Sequence, residues 1–135
     1  MDAEDAKLAA QTGADAIIVS NHGGRQLDGA PSSIAMLPAI VDAVGSKIEV
    51  HMDGGIRSGQ DVLKALALGA HATYIGRAFL YGLGAQGEAG VTKALSVIRN
   101  ELDVTMGFCG RTSIKDINGD VLDYSTVTDF AKLRG

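Results

Sequence analysis

One cysteine, two prolines, no tryptophan and only three tyrosines and three phenylalanines occur in this 135-residue chain, so little of it can be stapled, kinked or filled by large rings. The lone Cys109 excludes an internal disulfide and fits a reducing compartment, for which a cytoplasmic address is expected. Basic clusters are missing as well. With a formal charge of −4 and a pI near 5.2, the chain lacks the electrostatic footprint of a nucleic-acid binder, and no nucleic-acid partner is expected. No apolar run approaches the roughly eighteen residues that a spanning helix needs, and the start, Met1-Asp2-Ala3-Glu4-Asp5, is acidic, unlike a secretory signal. Peripheral contact with the inner face of a membrane stays open.

What is present in excess is glycine, 18 residues, about twice the average usage. The glycines gather at 23–24, 54–55 and 82–84, where strands are expected to end. Such clustering points to backbone brought close to a ligand or held at positive φ. With 46% hydrophobic side chains, the composition is that of one globular domain.

Alternating helical and strand patterns run along the chain. Residues 2–12 compose a helix that stops at Gly13, and Ala16-Ile17-Ile18-Val19 is a short β-branched run suited to a parallel strand covered on both faces. Ser32 and Ser33 can cap a second helix, whose apolar set Ile34, Leu37, Ile40, Val41 and Val44 keeps helical spacing until Gly45. A second strand is expected over 48–53, a third helix from an N-cap at Ser58 to Gly69, and a third strand over 72–75. A short apolar piece over 78–83, a long helix over about 87–106 and a short helix near 113–118 follow, before a tail from 121. Gly13-Ala14-Asp15-Ala16 and Gly69-Ala70-His71-Ala72 echo each other at a helix-to-strand junction. Strands joined by helical crossovers run parallel, so the three strand C-termini share one rim.

Three loops at that rim can carry chemistry. In Ser20-Asn21-His22-Gly23-Gly24-Arg25-Gln26-Leu27-Asp28, His22 is a side chain able to accept a proton near neutrality, and Arg25 is a planar fork that matches a carboxylate. A base beside a carboxylate clamp suits an acid whose neighbouring carbon or hydroxyl loses a proton; a bare H-x-x-R spacing also fits a turn histidine and a solvated arginine. Asp53-Gly54-Gly55-Ile56-Arg57 combines free amides, a helix start and a cation, the parts of a phosphate cradle, and Gly76-Arg77 repeats them one strand later. Glycine turns after strands are also common as plain structure. No metal site is expected: His71 lies at the opposite strand end from His22, and His51 reads as a hydrogen-bonded interior histidine. Cys109 reads as a small packed side chain.

The nine residues 20–28, together with Asp53-Gly54-Gly55-Ile56-Arg57-Ser58-Gly59 and Gly76-Arg77-Ala78-Phe79-Leu80-Tyr81, resemble the successive signatures of the FMN-dependent α-hydroxy-acid oxidase and dehydrogenase family, which includes glycolate oxidase and L-lactate dehydrogenase. The resemblance extends over residues 1–120. It implies an α/β fold forming the C-terminal part of a (β/α)8 TIM barrel, about strands 6–8 with their helices. It also implies oxidation of a small (S)-2-hydroxy acid, of the L-lactate or glycolate type, to the 2-oxo acid. His22 is then the base and Arg25 the carboxylate clamp; Asp53, Gly54, Gly55, Arg57, Gly76 and Arg77 hold FMN, chiefly its phosphate. Oxygen, a quinone or a cytochrome would take the electrons. Because the family's barrels are complete, the resemblance further implies a fragment that begins after the fifth strand, is inactive alone and self-associates through open strand edges. The other readings are a non-catalytic truncated module and a different FMN- or phosphate-binding barrel enzyme.

Overall fold

The computed structural model describes residues 1–124. The expected tail over 121–135 lies largely outside these residues. Helix α1 (Ala3–Gln11) begins where the Asp2 carboxylate accepts the Glu4 amide at 2.8 Å, with Glu4 and Asp5 placing negative charge at the positive end of the helix dipole. Strand β1 (Ala16–Val19), helix α2 (Ser33–Val44), strand β2 (Glu49–Met52), helix α3 (Gly59–Ala67), strand β3 (Ala72–Thr73) and helix α4 (Arg77–Phe108) follow in turn. Two single 3₁₀ turns, Ile114–Asp116 and Gly119–Val121, replace the short helix expected near 113–118.

The sheet is parallel in the order β1-β2-β3, with Ile17 paired to Val50, Val19 to Met52 and Met52 to Thr73. Val19, Val50 and Met52 point to one face and form a core with Ala6 of α1 and with Leu37, Ile40 and Val44 of α2. That is the stripe whose spacing predicts α2, and its burial carries the helix through Pro38, which donates no backbone hydrogen bond. A second cluster, Leu63, Ala67, Met106 and Ile117, seals α3 against the end of α4.

The opposite face of the sheet is open, which corrects the expectation that β1 is covered on both sides. Ile18 is 52% exposed and Tyr74 45% exposed, because α1 and α2 pack on one face alone. Regular pairing in β3 ends at Thr73, two residues earlier than expected. The apolar piece over 78–83 is helical. It forms the start of α4, which is interrupted at Gln86 and Gly87, where φ reaches +59°. The glycines at 82–84 therefore end no strand; Gly82 instead lets the backbone approach Gly90, whose carbonyl oxygen a Cβ would meet at 2.4 Å.

Candidate functional site

The loops leaving the three strands enclose an open cavity of about 290 Å³. His22, Arg25, Asp53, Gly54, Gly55, Arg57, Gly76 and Arg77 all line it, so the structure brings together every residue that the sequence points to. Tyr74, Ile75, Ile56, Ala78 and Leu80 complete the wall.

His22 sits in a turn built against the usual backbone preference. Its φ is +56°, and those of Gly23 and Gly24 are +66° and +70°, so three successive residues are left-handed. For a residue with a Cβ this costs roughly 1–2 kcal/mol, and the surroundings hold it. The His22 amide donates to Ser20 Oγ at 3.0 Å, the Gly24 amide to the Asn21 carbonyl at 3.0 Å, and the Arg25 amide to the His22 carbonyl at 3.3 Å. Asn21 anchors the turn: its amide donates to Ser33 Oγ at 3.2 Å and its side chain to the Pro31 carbonyl. Ser33 thus serves the site loop. Ser32 is the N-cap of α2, but neither it nor Ser33 supplies the expected side-chain cap. Ser33 is the one buried polar side chain in the described core, a signal legible only once burial is known.

The imidazole of His22 makes no hydrogen bond among the described residues. Asp28 makes no bond to it; the hydrogen bond its carboxylate accepts is from the Gly29 amide, at 3.1 Å. Arg25, Arg57 and Arg77 are exposed side chains with no ion pair among the described residues. Asp53 is half-buried, and its Oδ1 is out of contact with solvent without a hydrogen-bond partner. A carboxylate oxygen taken out of water favours a site where a donor can reach it. The cavity therefore offers three cations free to meet an anion and one carboxylate oxygen without a donor.

Backbone amides add to this. Those of Gly54 and Gly55, at φ +87° and +82°, make no hydrogen bond among the described residues, and neither does that of Gly76, the N-cap of α4. The start of α3 is different. Its N-cap Ser58 and Asp61 form a reciprocal capping box, and the Gly59 amide donates to Glu101 Oε2 at 2.9 Å. That helix end is already satisfied by the protein, so the helix-start part of the expected Asp53–Arg57 cradle is closed, leaving its amides and Arg57.

The other histidines lie elsewhere. His51 lies below the rim on the open face, 3.1 Å from Tyr74 Oη through Nδ1 and 2.9 Å from Glu49 Oε2 through Nε2. Tyr74, missed in the sequence reading, reaches the cavity wall by sharing the strand parity of Asp53 one strand away. His71 Nδ1 accepts the Val50 amide at the far strand end. Cys109 is half-buried at the end of α4. Among the described residues no cluster of His, Cys, Asp and Glu could hold a metal ion, and no helix is long and apolar enough to cross a membrane.

Residues 1–124 match the family model described as FMN-dependent dehydrogenase. An L-lactate dehydrogenase of Caulobacter vibrioides is 55% identical over 122 residues, covering 90% of this chain and 32% of that protein. The 2-hydroxyacid oxidase 2 of Bos taurus is 51% identical over 122 residues, 90% of this chain and 35% of its own length. The structure of an active mutant of (S)-mandelate dehydrogenase superposes with a TM-score of 0.86 at 45% identity, over 90% of this chain and 34% of that one. Mandelate oxidase with benzoyl-formic acid gives 0.83 at 50% identity, over 85% of this chain and 34% of that one. The chain spans about a third of the length of the curated relatives it matches.

Proposed function

Because this chain belongs to the FMN-dependent dehydrogenase family, we propose that it supplies the proton-accepting and phosphate-gripping rim of an enzyme that oxidises a small (S)-2-hydroxy acid to the 2-oxo acid. On this reading β1, β2 and β3 are the sixth to eighth strands of a (β/α)8 barrel, whose ligands gather at the C-terminal strand ends. The supporting observation is their meeting in one cavity: three guanidiniums without ion pairs among the described residues, and a buried carboxylate oxygen without a donor. FMN carries both complements, a phosphate and a chain of hydroxyl groups.

Arg57, Arg77 and the amides of Gly54, Gly55 and Gly76 hold the phosphate. Asp53 is a poor neighbour for a dianion and an apt acceptor for a hydroxyl, so its part is with the sugar-alcohol chain. The chemistry that the bound flavin would supply is acceptance of a hydride equivalent, two electrons and one proton, from the substrate, the other proton going to His22. Arg25 grips the substrate carboxylate through two parallel hydrogen bonds, and His22 accepts the proton that leaves as the α-carbon becomes a carbonyl. The left-handed turn fixes the spacing of these two groups, since Arg25 donates its amide to the His22 carbonyl.

L-lactate and glycolate are the first substrates to test, with mandelate beside them. A second reading, that the 135-residue chain alone turns over no substrate, is favoured by its open inner face, where Ile18 and Tyr74 are half-exposed. The same face and the free edges of β1 and β3 favour self-association. The chain is titrated with FMN and the product mixed anaerobically with each acid. Stoichiometric binding is expected, and bleaching by a hydroxy acid would overturn the second reading. In a full-length relative, the His22→Gln equivalent should retain flavin and lose its reduction. The Arg25→Met equivalent should chiefly weaken acid binding. Unaltered turnover in either would remove that residue from its role.

A further inference from the structure

Arg57 is the cavity cation whose backbone the protein grips most firmly, and the grip comes from a residue outside the cavity. Asp61 Oδ2 accepts three hydrogen bonds: from the Arg57 amide at 3.0 Å, the Ser58 amide at 3.0 Å and Ser58 Oγ at 2.9 Å. Ser58 Oγ in turn accepts the Asp61 amide at 3.2 Å. A capping box needs only the bonds between Ser58 and Asp61; the bond to the Arg57 amide is additional and reaches one residue back, out of the helix and into the cavity wall. On its other side Arg57 follows Ile56, which is 5% exposed and packed into the main core. The backbone of Arg57 is thus held between a buried plug and a carboxylate.

The side chain is treated in the opposite way. Asp61 is four residues from Arg57 and has the charge to pair with its guanidinium, yet its bonds go to the backbone, and the guanidinium has no ion pair among the described residues. We infer that Asp61 is a positioning residue for phosphate recognition: by taking the Arg57 and Ser58 amides, it aims a free guanidinium into the cavity that lies beside Gly54 and Gly76. The inference rests on the proposed seat for the FMN phosphate and adds to it a residue that touches neither ligand nor cavity.

Because the effect passes through the phosphate, FMN and riboflavin separate it from plain helix stability. Binding of each to the full 135-residue chain is measured by quenching of flavin fluorescence in the wild type and in Asp61→Ala, Asp61→Asn and Ser58→Ala, with urea midpoints beside them. Asp61→Ala should weaken FMN binding about tenfold and leave riboflavin unchanged, the fold-change expected when a charge-assisted hydrogen bond no longer sets a cation's position. Asp61→Asn, which keeps an acceptor oxygen, should fall between it and the wild type. Ser58→Ala removes the hydroxyl of the cap but keeps the Arg57–Asp61 bond, so it should lower the urea midpoint with little change in either affinity. Equal losses for both flavins in Asp61→Ala, or a Ser58→Ala loss of FMN as large as that of the Asp61 variants, would overturn the inference. If Asp61→Ala does not fold, Asp61→Asn against Ser58→Ala decides by the same criterion. A wild-type chain that binds FMN no better than riboflavin would refute the phosphate seat itself, and the role of Asp61 with it.

Discussion

Replacing Gly59 by alanine should destabilise this chain, although the same change at a helical glycine commonly stabilises. Gly59 is the first residue of α3 and is buried against α4, with no need for positive φ. Alanine's intrinsic preference for a helix over glycine favours the variant by up to about 1 kcal/mol. Against this, a Cβ at position 59 would lie 1.9 Å from the Leu102 amide nitrogen, 2.4 Å from the Glu101 carbonyl carbon and 2.6 Å from the Leu102 Cα. All three are backbone atoms, so no rotamer change relieves the clash. Ordinary contact begins near 3.4 Å, and the helices would have to part by about 1.5 Å at this point. Parting them strains the packing of Leu63 and Ala67 against Met106, at roughly 1–3 kcal/mol, and pulls the Gly59 amide from Glu101 Oε2, a bond to a charged group worth about 1.5–3 kcal/mol. The net expectation is a loss of about 2–4 kcal/mol, and a thermal midpoint lower by roughly 10 °C. Urea unfolding followed by far-ultraviolet circular dichroism measures it. A midpoint equal to or above the wild type would show that α3 and α4 do not meet backbone to backbone at this glycine.

Removal of the Ser33 hydroxyl in Ser33→Ala leaves the Asn21 amide without its acceptor in a half-buried place, at about 1–3 kcal/mol. Faster proteolysis within residues 22–30, together with a lower urea midpoint, is the expected readout; an unchanged cleavage rate would remove Ser33 as the anchor of that loop. Arg57→Met and Arg77→Met should each weaken FMN binding by about tenfold, about the 1.4 kcal/mol of one charge-assisted contact, while sparing riboflavin. A variant that loses both flavins equally would show its arginine acting outside phosphate recognition.

Much of the scaffold is legible from local chemistry. Apolar residues at helical spacing mark α2, because a single stripe must be buried, and its members Leu37, Ile40 and Val44 are the ones that reach the core. Gly13 and Gly69 follow α1 and α3 at φ +87° and +98°, as a residue without a Cβ allows after a helix end. Parallel strands joined by helical crossovers have their C-termini on one rim, so the convergence of the His22, Asp53 and Gly76 loops could be read before any coordinates. Where sequence reasoning falls short, partners distant in the chain intervene. The extent of β3 and the helical state of residues 78–83 depend on neighbours rather than on composition.

By itself the sequence determined which side chains are available: a histidine and an arginine three residues apart, glycine-hinged loops after strands, and arginines at two more of them. Side-chain identity and short spacing carry that information. Only the tertiary structure decided which of these groups remain free for a ligand. Glu101 closes the start of α3 from 42 residues away, and Ser33 turns from helix cap to loop anchor across 12. Asp53 keeps a buried oxygen for which no described residue provides a donor. Satisfying a polar group is a matter of distance in space, and residues far apart in the chain become neighbours only when the sheet and its helices pack.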